Sequence, residues 1–245
     1  MKELGIDIET YSSNDLTECG VYKYVEAEDF TILLFAYSVD GGPVQCVDFA
    51  SGETLPPEIE AALTDPEIIK TAFNAAFERI CIGVYLGIKG RLDPRQWRCT
   101  MVRAARMGLP LSLAQCGEVL KLEDRKMSEG KALIRYFSVP NKQTKQGITK
   151  MIRHKPSDAP EKWATFKAYN IRDVEVEQAI LKKVRRLEAP EFDEDLYVVD
   201  QHINDRGVMI DQVLVNNAAR FDEAYKDELF AEARKLTGMS NPNSP

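Results

Sequence analysis

Residues 5–10 read GIDIET, with Ile6 and Ile8 in strict alternation with Asp7 and Glu9. Side chains along a strand point alternately to opposite faces, so the isoleucines face a core while the acids share the other face, their Cα atoms roughly 6 to 7 Å apart. Two like charges held at that spacing repel unless a cation sits between them. Taken alone, the stretch equally fits an edge strand with a solvated acidic face. The same Asp-x-Glu triplet recurs at Asp65-Pro66-Glu67 and Asp173-Val174-Glu175, so the pair acquires meaning only from the rest of the chain.

The 245 residues are 44% hydrophobic and 29% charged, which suits one large domain or one domain with a smaller piece. No apolar run approaches the roughly 20 residues that cross a bilayer, and MKELGIDIE lacks the basic end and apolar core of a signal peptide, so a cytoplasmic protein with no membrane partner is expected. The five cysteines (19, 46, 81, 99, 116) are scattered, with no C-x-x-C pair, which argues against a disulfide framework or a zinc site. A net charge of −7 argues against a general nucleic-acid binder, but an enzyme that recruits divalent cations can hold phosphates through metal.

Periodicity gives the order of elements. After the first strand come a polar connection (YSSNDLTECG) and the buried run TILLFAYSV (31–39). DGGP (40–43) then turns the chain back into VQCVDF, so the first fifty residues read as an antiparallel meander led by Asp7 and Glu9. PPEIEAALT predicts a short helix and EIIKTAF a short strand. Asn74 is expected to cap a helix through AAFERICIGVYLG, and QWRC to form a short strand. Helices are expected over TMVRAARMGL, SLAQCGEVLKL, MSEGKALIRYF and, from Glu161 to Pro190, over EKWATFKAYNIRDVEVEQAILKKVRRLEA. Between the last two, SVPNKQTKQGITKMIRHKPSDAP (138–160) has no apolar periodicity and carries Lys142, Lys145, Lys150, Arg153 and Lys155, and reads as a mobile basic loop. The remainder, from Phe192, is nearly all helical with an extended break at RGVMID.

Two further places join the strand acids. In FNAAFE (73–78), Asn74 and Glu78 are four apart at a helix start and can look back over the sheet edge. A cap and a dipole-favoured acid would also explain them, although a capping box would put its acid at Phe77. In YNIRD (169–173), Tyr169 and Asp173 lie one turn apart on an otherwise apolar face; a satisfied phenol and an exposed acid would give the same pattern.

The order of the three resembles the DEDD superfamily of metal-dependent 3'–5' exonucleases in its tyrosine variant. DIETYS, FNAAFERICI, SLAQCGEVLKL, SEGKALIRYFSVP and YNIRDVEVE are similar to the proofreading exonuclease domain of bacteriophage-type family A DNA polymerases, and LYVVDQHINDRGVMID to the segment leading into the polymerase thumb. One position departs, since many relatives carry Asp where this chain has Glu78. The histidine variant would need a His at Ala168; His154 precedes Asp158 by four, across Pro156.

The resemblance implies a ribonuclease H-like mixed α/β sheet flanked by helices over 1–187 and a helical segment over 188–245, in a chain that is a fragment whose polymerase domain lies elsewhere. It also implies release of nucleoside monophosphates from the 3' end of single-stranded or frayed DNA, with two divalent cations, Mg²⁺ or Mn²⁺. Such ions, about 3.5 to 4 Å apart, supply a hydroxide and neutralise both reacting oxygens, and hard cations want oxygen ligands. In this reading Asp7 bridges both ions, Glu9 and Asp173 hold the one bearing the nucleophile, and Glu78 serves the second, often through water. Tyr169, with an ordinary pKa near 10, is a hydrogen-bonding post for the attacking water. Thr10 and Asn74 are candidate contacts to the terminal nucleotide, and Lys142, Lys145 and Lys150 to the strand. A ribonuclease D-like RNA exonuclease and a catalytically silent nucleic-acid-binding domain are the alternatives.

Overall fold

A computed structural model describes residues 1–122, 130–145, 148–186 and 190–242, with the backbone alone described at 143–145 and 148–150. The described residues form two compact units, Met1–His202 and Ile203–Pro245.

The first unit is built on a five-stranded sheet of β1 (Glu3–Tyr11), β2 (Thr31–Val39), β3 (Gln45–Asp48), β4 (Ile69–Ala72) and β5 (Trp97–Cys99), in the order β3-β2-β1-β4-β5. β1, β2 and β3 pair antiparallel, whereas β4 runs parallel to β1 and β5 parallel to β4. This is the mixed ribonuclease H-like sheet expected from the sequence, and it puts GIDIET on the central strand. Asp7 faces Ala36 across the β1–β2 ladder, and a bulge falls between Glu9 and Thr10. There the strict alternation ends, because an extra residue re-aims the side chains after it: Glu9, Thr10 and Tyr11 are all buried.

Helices cover the sheet. α1 (Leu16–Tyr24) lies within what reads as a polar connection; it is capped by Asp15, whose carboxylate accepts from Thr17 N at 2.8 Å. α2 (Pro57–Thr64), α3 (Ala75–Tyr85), α4 (Thr100–Arg106), α5 (Leu113–Val119) and α6 (Gly130–Phe137) fall where periodicity places them. Leu4, Ile6 and Ile8 enter one apolar core with Ile80, Ile82 and Trp97. The opposite face of the sheet is covered by α7 (Pro160–Val184), whose Trp163, Phe166 and Tyr169 pack on Tyr11, Leu33 and Leu34.

Residues 138–160 differ from expectation. Instead of a structureless loop, they hold a two-stranded antiparallel hairpin of β6 (Asn141–Lys145) and β7 (Ile148–Ile152). The β-branched Thr144, Ile148, Thr149 and Ile152 favour extended chain. The hairpin is tied down where it begins: Asn141 Nδ2 donates to Tyr136 O at 3.0 Å and Val139 O at 2.8 Å.

α8 (Glu191–Arg206) is bound to the first unit through its N-terminal turns, by ion pairs of Glu194 with Arg98 and Arg103 and of Asp193 with Arg106. In the second unit, α9 (Gln212–Thr237) is capped by Asp211, which accepts from Val213 N and Leu214 N. Among the described residues no helix is long and apolar enough to cross a membrane.

Candidate active site

The acidic face of β1 is covered rather than solvated. Glu9 is only 8% exposed and Asp7 is half-buried. What covers them is α7, which presents Tyr169, Asn170 and Asp173, all buried. Asn170 pins Asp7: its Nδ2 donates to Asp7 Oδ2 at 2.7 Å and to Asp7 O at 3.1 Å, fixing one carboxylate rotamer from the facing helix. Sequence reasoning missed Asn170. An amide beside the Tyr-x-x-x-Asp pair carries no periodic signal, and only its burial shows its role.

Tyr169 is 1% exposed, and burial first, then the carboxylates of Asp173, Glu9 and Asp7, push its phenol far above the ordinary value. It stays protonated at any working pH, as a hydrogen-bonding post must. Its ring is held against α6 so closely that a Cβ on Gly130 would lie 2.0 Å from Tyr169 Cε2. No side chain larger than hydrogen fits there unless the ring moves.

Asn74 corrects an expectation. It stands at the N-cap position of α3, but with φ 89° and ψ 49° and no side-chain capping bond. Asn tolerates this left-handed conformation better than most residues, through local hydrogen bonding of its short amide. The side chain is exposed and lines the cleft instead. One turn on, Glu78 is 4% exposed, and its Oε2 has no hydrogen-bond partner among the described residues. Burial chiefly, and next the charge of Asp7, hold its carboxyl well above the usual range. An acid desolvated beside another acid, with a lone pair unused, is suited to a cation, whose charge would bring its pKa down again.

Asp7, Glu9 and Thr10 from β1, Asn74 and Glu78 from α3, and Tyr169 and Asp173 from α7 all line one cleft of about 740 Å³. The same cleft takes in residues not anticipated: Asn14 and Leu16 at the start of α1, Phe77 beside Glu78, and Val139 and Met151 at the hairpin. Thr10 Oγ1 is 2.8 Å from the Tyr24 hydroxyl, also in the wall. Lys142 is exposed and does not line the cleft; the side chains of Lys145 and Lys150 lie outside the described residues. Among the described residues no three His, Cys, Asp or Glu side chains form a ready-made metal cage. The donors share a cleft, and their hard carboxylate oxygens, one of them unused on Glu78, are of the kind that divalent cations take.

No protein-family model matches the chain. It is 53% identical over 244 residues to the DNA polymerase of Bacillus phage SP02, covering the whole chain but 37% of that protein's length. Among solved structures it is similar to Brucella melitensis NrnC (16% identity, TM-score 0.43, 84% of this chain and 87% of that one) and to the same protein with bound Mg²⁺ (16%, TM-score 0.44, the same coverage). At that degree of likeness, neither the chemistry nor the ligands of NrnC transfer to this chain.

Proposed function

We propose that the chain is the 3'–5' exonuclease part of a DNA polymerase of phage type, removing nucleoside monophosphates from the 3' end of single-stranded or frayed DNA. The observation that carries this reading is the meeting of acids from three separated segments, β1, α3 and α7, with a buried tyrosine in one cleft. The 53% identity to a phage DNA polymerase supports it, and the 37% coverage is consistent with a polymerase domain elsewhere in a parent chain. In this division the exonuclease domain spans 1–187, and 188–245 leads toward that polymerase domain.

Asp7, Glu9, Glu78 and Asp173 would hold two divalent cations, which supply a hydroxide at neutral pH and neutralise charge on the attacking and leaving oxygens. The chain's own groups do the rest. Asn170 keeps the Asp7 carboxylate in one orientation. Tyr169, protonated and hydrogen-bonded to Asp173, would orient the attacking water through its hydroxyl. Thr10, steadied by Tyr24, and Asn74, in its left-handed turn, contact the terminal nucleotide. Lys142, Lys145 and Lys150 on the hairpin attract the strand.

The test is incubation with a 3'-labelled single strand of DNA and, separately, RNA, with Mg²⁺, Mn²⁺ or a chelator. Shortening of DNA from the 3' end, with metal only, is expected. Cutting within a circular strand would overturn the reading, and preference for RNA would replace the DNA substrate.

A further inference from the structure

A second cavity, of about 210 Å³, opens where the chain leaves the base of the hairpin. Its back wall is carbon: Leu33, Ala50, Pro156 and Trp163, whose indole N–H is already donated to Asp48 Oδ2 at 2.7 Å. Three consecutive nitrogen-bearing side chains, Arg153, His154 and Lys155, complete it. In a chain of net charge −7, that concentration of cationic groups on one small concavity calls for an anion.

The three are set in place from outside the cavity. Arg153 lies over the Tyr11 ring, with Cζ 4.5 Å from the centroid. His154 stacks on Tyr136 at 3.9 Å with the rings 6° from parallel, and Lys162 Nζ sits 4.3 Å from the centroid of that ring. Asp158 accepts from Lys155 N at 2.7 Å and stands 4.0 Å from His154 Nδ1, so it braces the backbone and the imidazole. Among the described residues neither the Arg153 guanidinium nor the Lys155 ammonium has a carboxylate partner, leaving both for a ligand.

The cavity and the cleft are lined by neighbouring stretches of chain. Met151 lines the cleft and Arg153, two residues on, lines the cavity. On the other side Thr10 lines the cleft, and Tyr11, the next residue, carries Arg153. We propose that this cavity seats a backbone phosphodiester of the bound strand, 5' of the terminal nucleotide. Arg153 and Lys155 hold its oxygens by charge-assisted bonds and the sugar lies on Ala50 and Pro156. The placement rests on the exonuclease reading, because that reading fixes the 3' end in the cleft. A cavity of this size holds a phosphate with its sugar; drug-sized ligands occupy roughly 300 to 1,000 Å³.

The test is binding of phosphorothioate-linked oligothymidylates, which resist cleavage, from two to about ten nucleotides long, in Mg²⁺ at several salt concentrations. With the parent chain, affinity should rise once the strand is long enough to reach the cavity. Arg153→Gln with Lys155→Gln should remove that rise, weaken the longer strands by about tenfold, and lower the salt slope by about 0.7 for the phosphate lost. Arg153 also supports Tyr11, so Lys155→Gln alone, at an exposed position, is the second variant if the double one does not fold. An unchanged length dependence and salt slope in either folded variant would overturn the proposal, as would a parent chain that binds no single strand. If unmodified strands are not shortened but the substitutions still remove the length-dependent step, the exonuclease reading fails and the phosphate seat stands.

Discussion

On one side of the cleft the functional groups come from a central strand and two helices, and they are nearly sealed: Glu78 and Asp173 are each 4% exposed and Tyr169 1%. On the other side stands the hairpin, where Met151 is 57% and Val139 42% exposed. The sealed side places groups whose job tolerates little movement, and it costs desolvation, read in the raised pKa values of Glu78 and Tyr169. In the proposed reading, the exposed Met151 and Val139 would be free to adapt to a strand of any sequence. Precision and accommodation would thus be divided between buried regular elements and the exposed residues Val139 and Met151.

If this division holds, the variants below should separate the two sides, in descending order of effect. Asp7→Ala removes the carboxylate central to the proposed cation site, together with Asn170's acceptor, so 3'-end removal should fall by a factor of about 10³ or more. Initial rates in saturating Mn²⁺ read this, with folding checked separately; a rate near the parent's would reduce the GIDIET acids to a buried but idle pair. Tyr169→Phe keeps the ring and loses one hydrogen bond, for a loss of roughly 10- to 1,000-fold, or about 1.4 to 4 kcal/mol of barrier. Because the phenol stays protonated throughout, the pH profile of this variant should keep the parent's shape.

Glu177 probes the cost of sealing. It is buried behind the site, accepts a hydrogen bond from the Thr100 hydroxyl, and is raised by burial from an ordinary value of 4.5 to about 7. The folded state therefore holds its proton more tightly than the unfolded chain, so stability from this group falls as pH climbs from 4.5 to about 7 and is level above. Glu177→Gln, neutral throughout, should gain on the parent over that window, by an amount on the order of 2 kcal/mol. Urea unfolding at pH 5 and pH 8 measures it, and equal differences at the two values would contradict the assignment. Lys142→Ala, on the exposed side, should leave stability within about 0.5 kcal/mol and lower the salt slope of single-strand binding by about 0.7.

The regular elements of the buried side are legible in the sequence, Asn170 is not, and the hairpin is not. Period-two alternation puts Asp7 and Glu9 on one strand face and i,i+4 spacing pairs Tyr169 with Asp173 and Asn74 with Glu78, but each pattern also fits an ordinary solvated or capping role, and only the family resemblance of their order joins them into one candidate site. NKQTK and ITKMI show no apolar alternation, so the β6–β7 ribbon reads as loop. α1 escaped notice although Asp15 and Glu18 have capping-box spacing at its start, because LTECG lacks an apolar stripe. Asn74 reads as a cap by residue type, whereas its backbone is left-handed and its side chain makes no capping bond.

Gly130 gives the site a weakness of inheritance. It bears no charge, touches no proposed ligand and leaves no trace in any motif of acids, yet its missing Cβ is the space in which the Tyr169 ring rests. A descendant chain carrying Ala at this position would keep every carboxylate and the tyrosine and still lose the geometry that joins them. A catalytic set can therefore fall silent while its signature stays intact. In the proposed reading, whether a relative is active would turn as much on the residue behind the tyrosine as on the tyrosine itself.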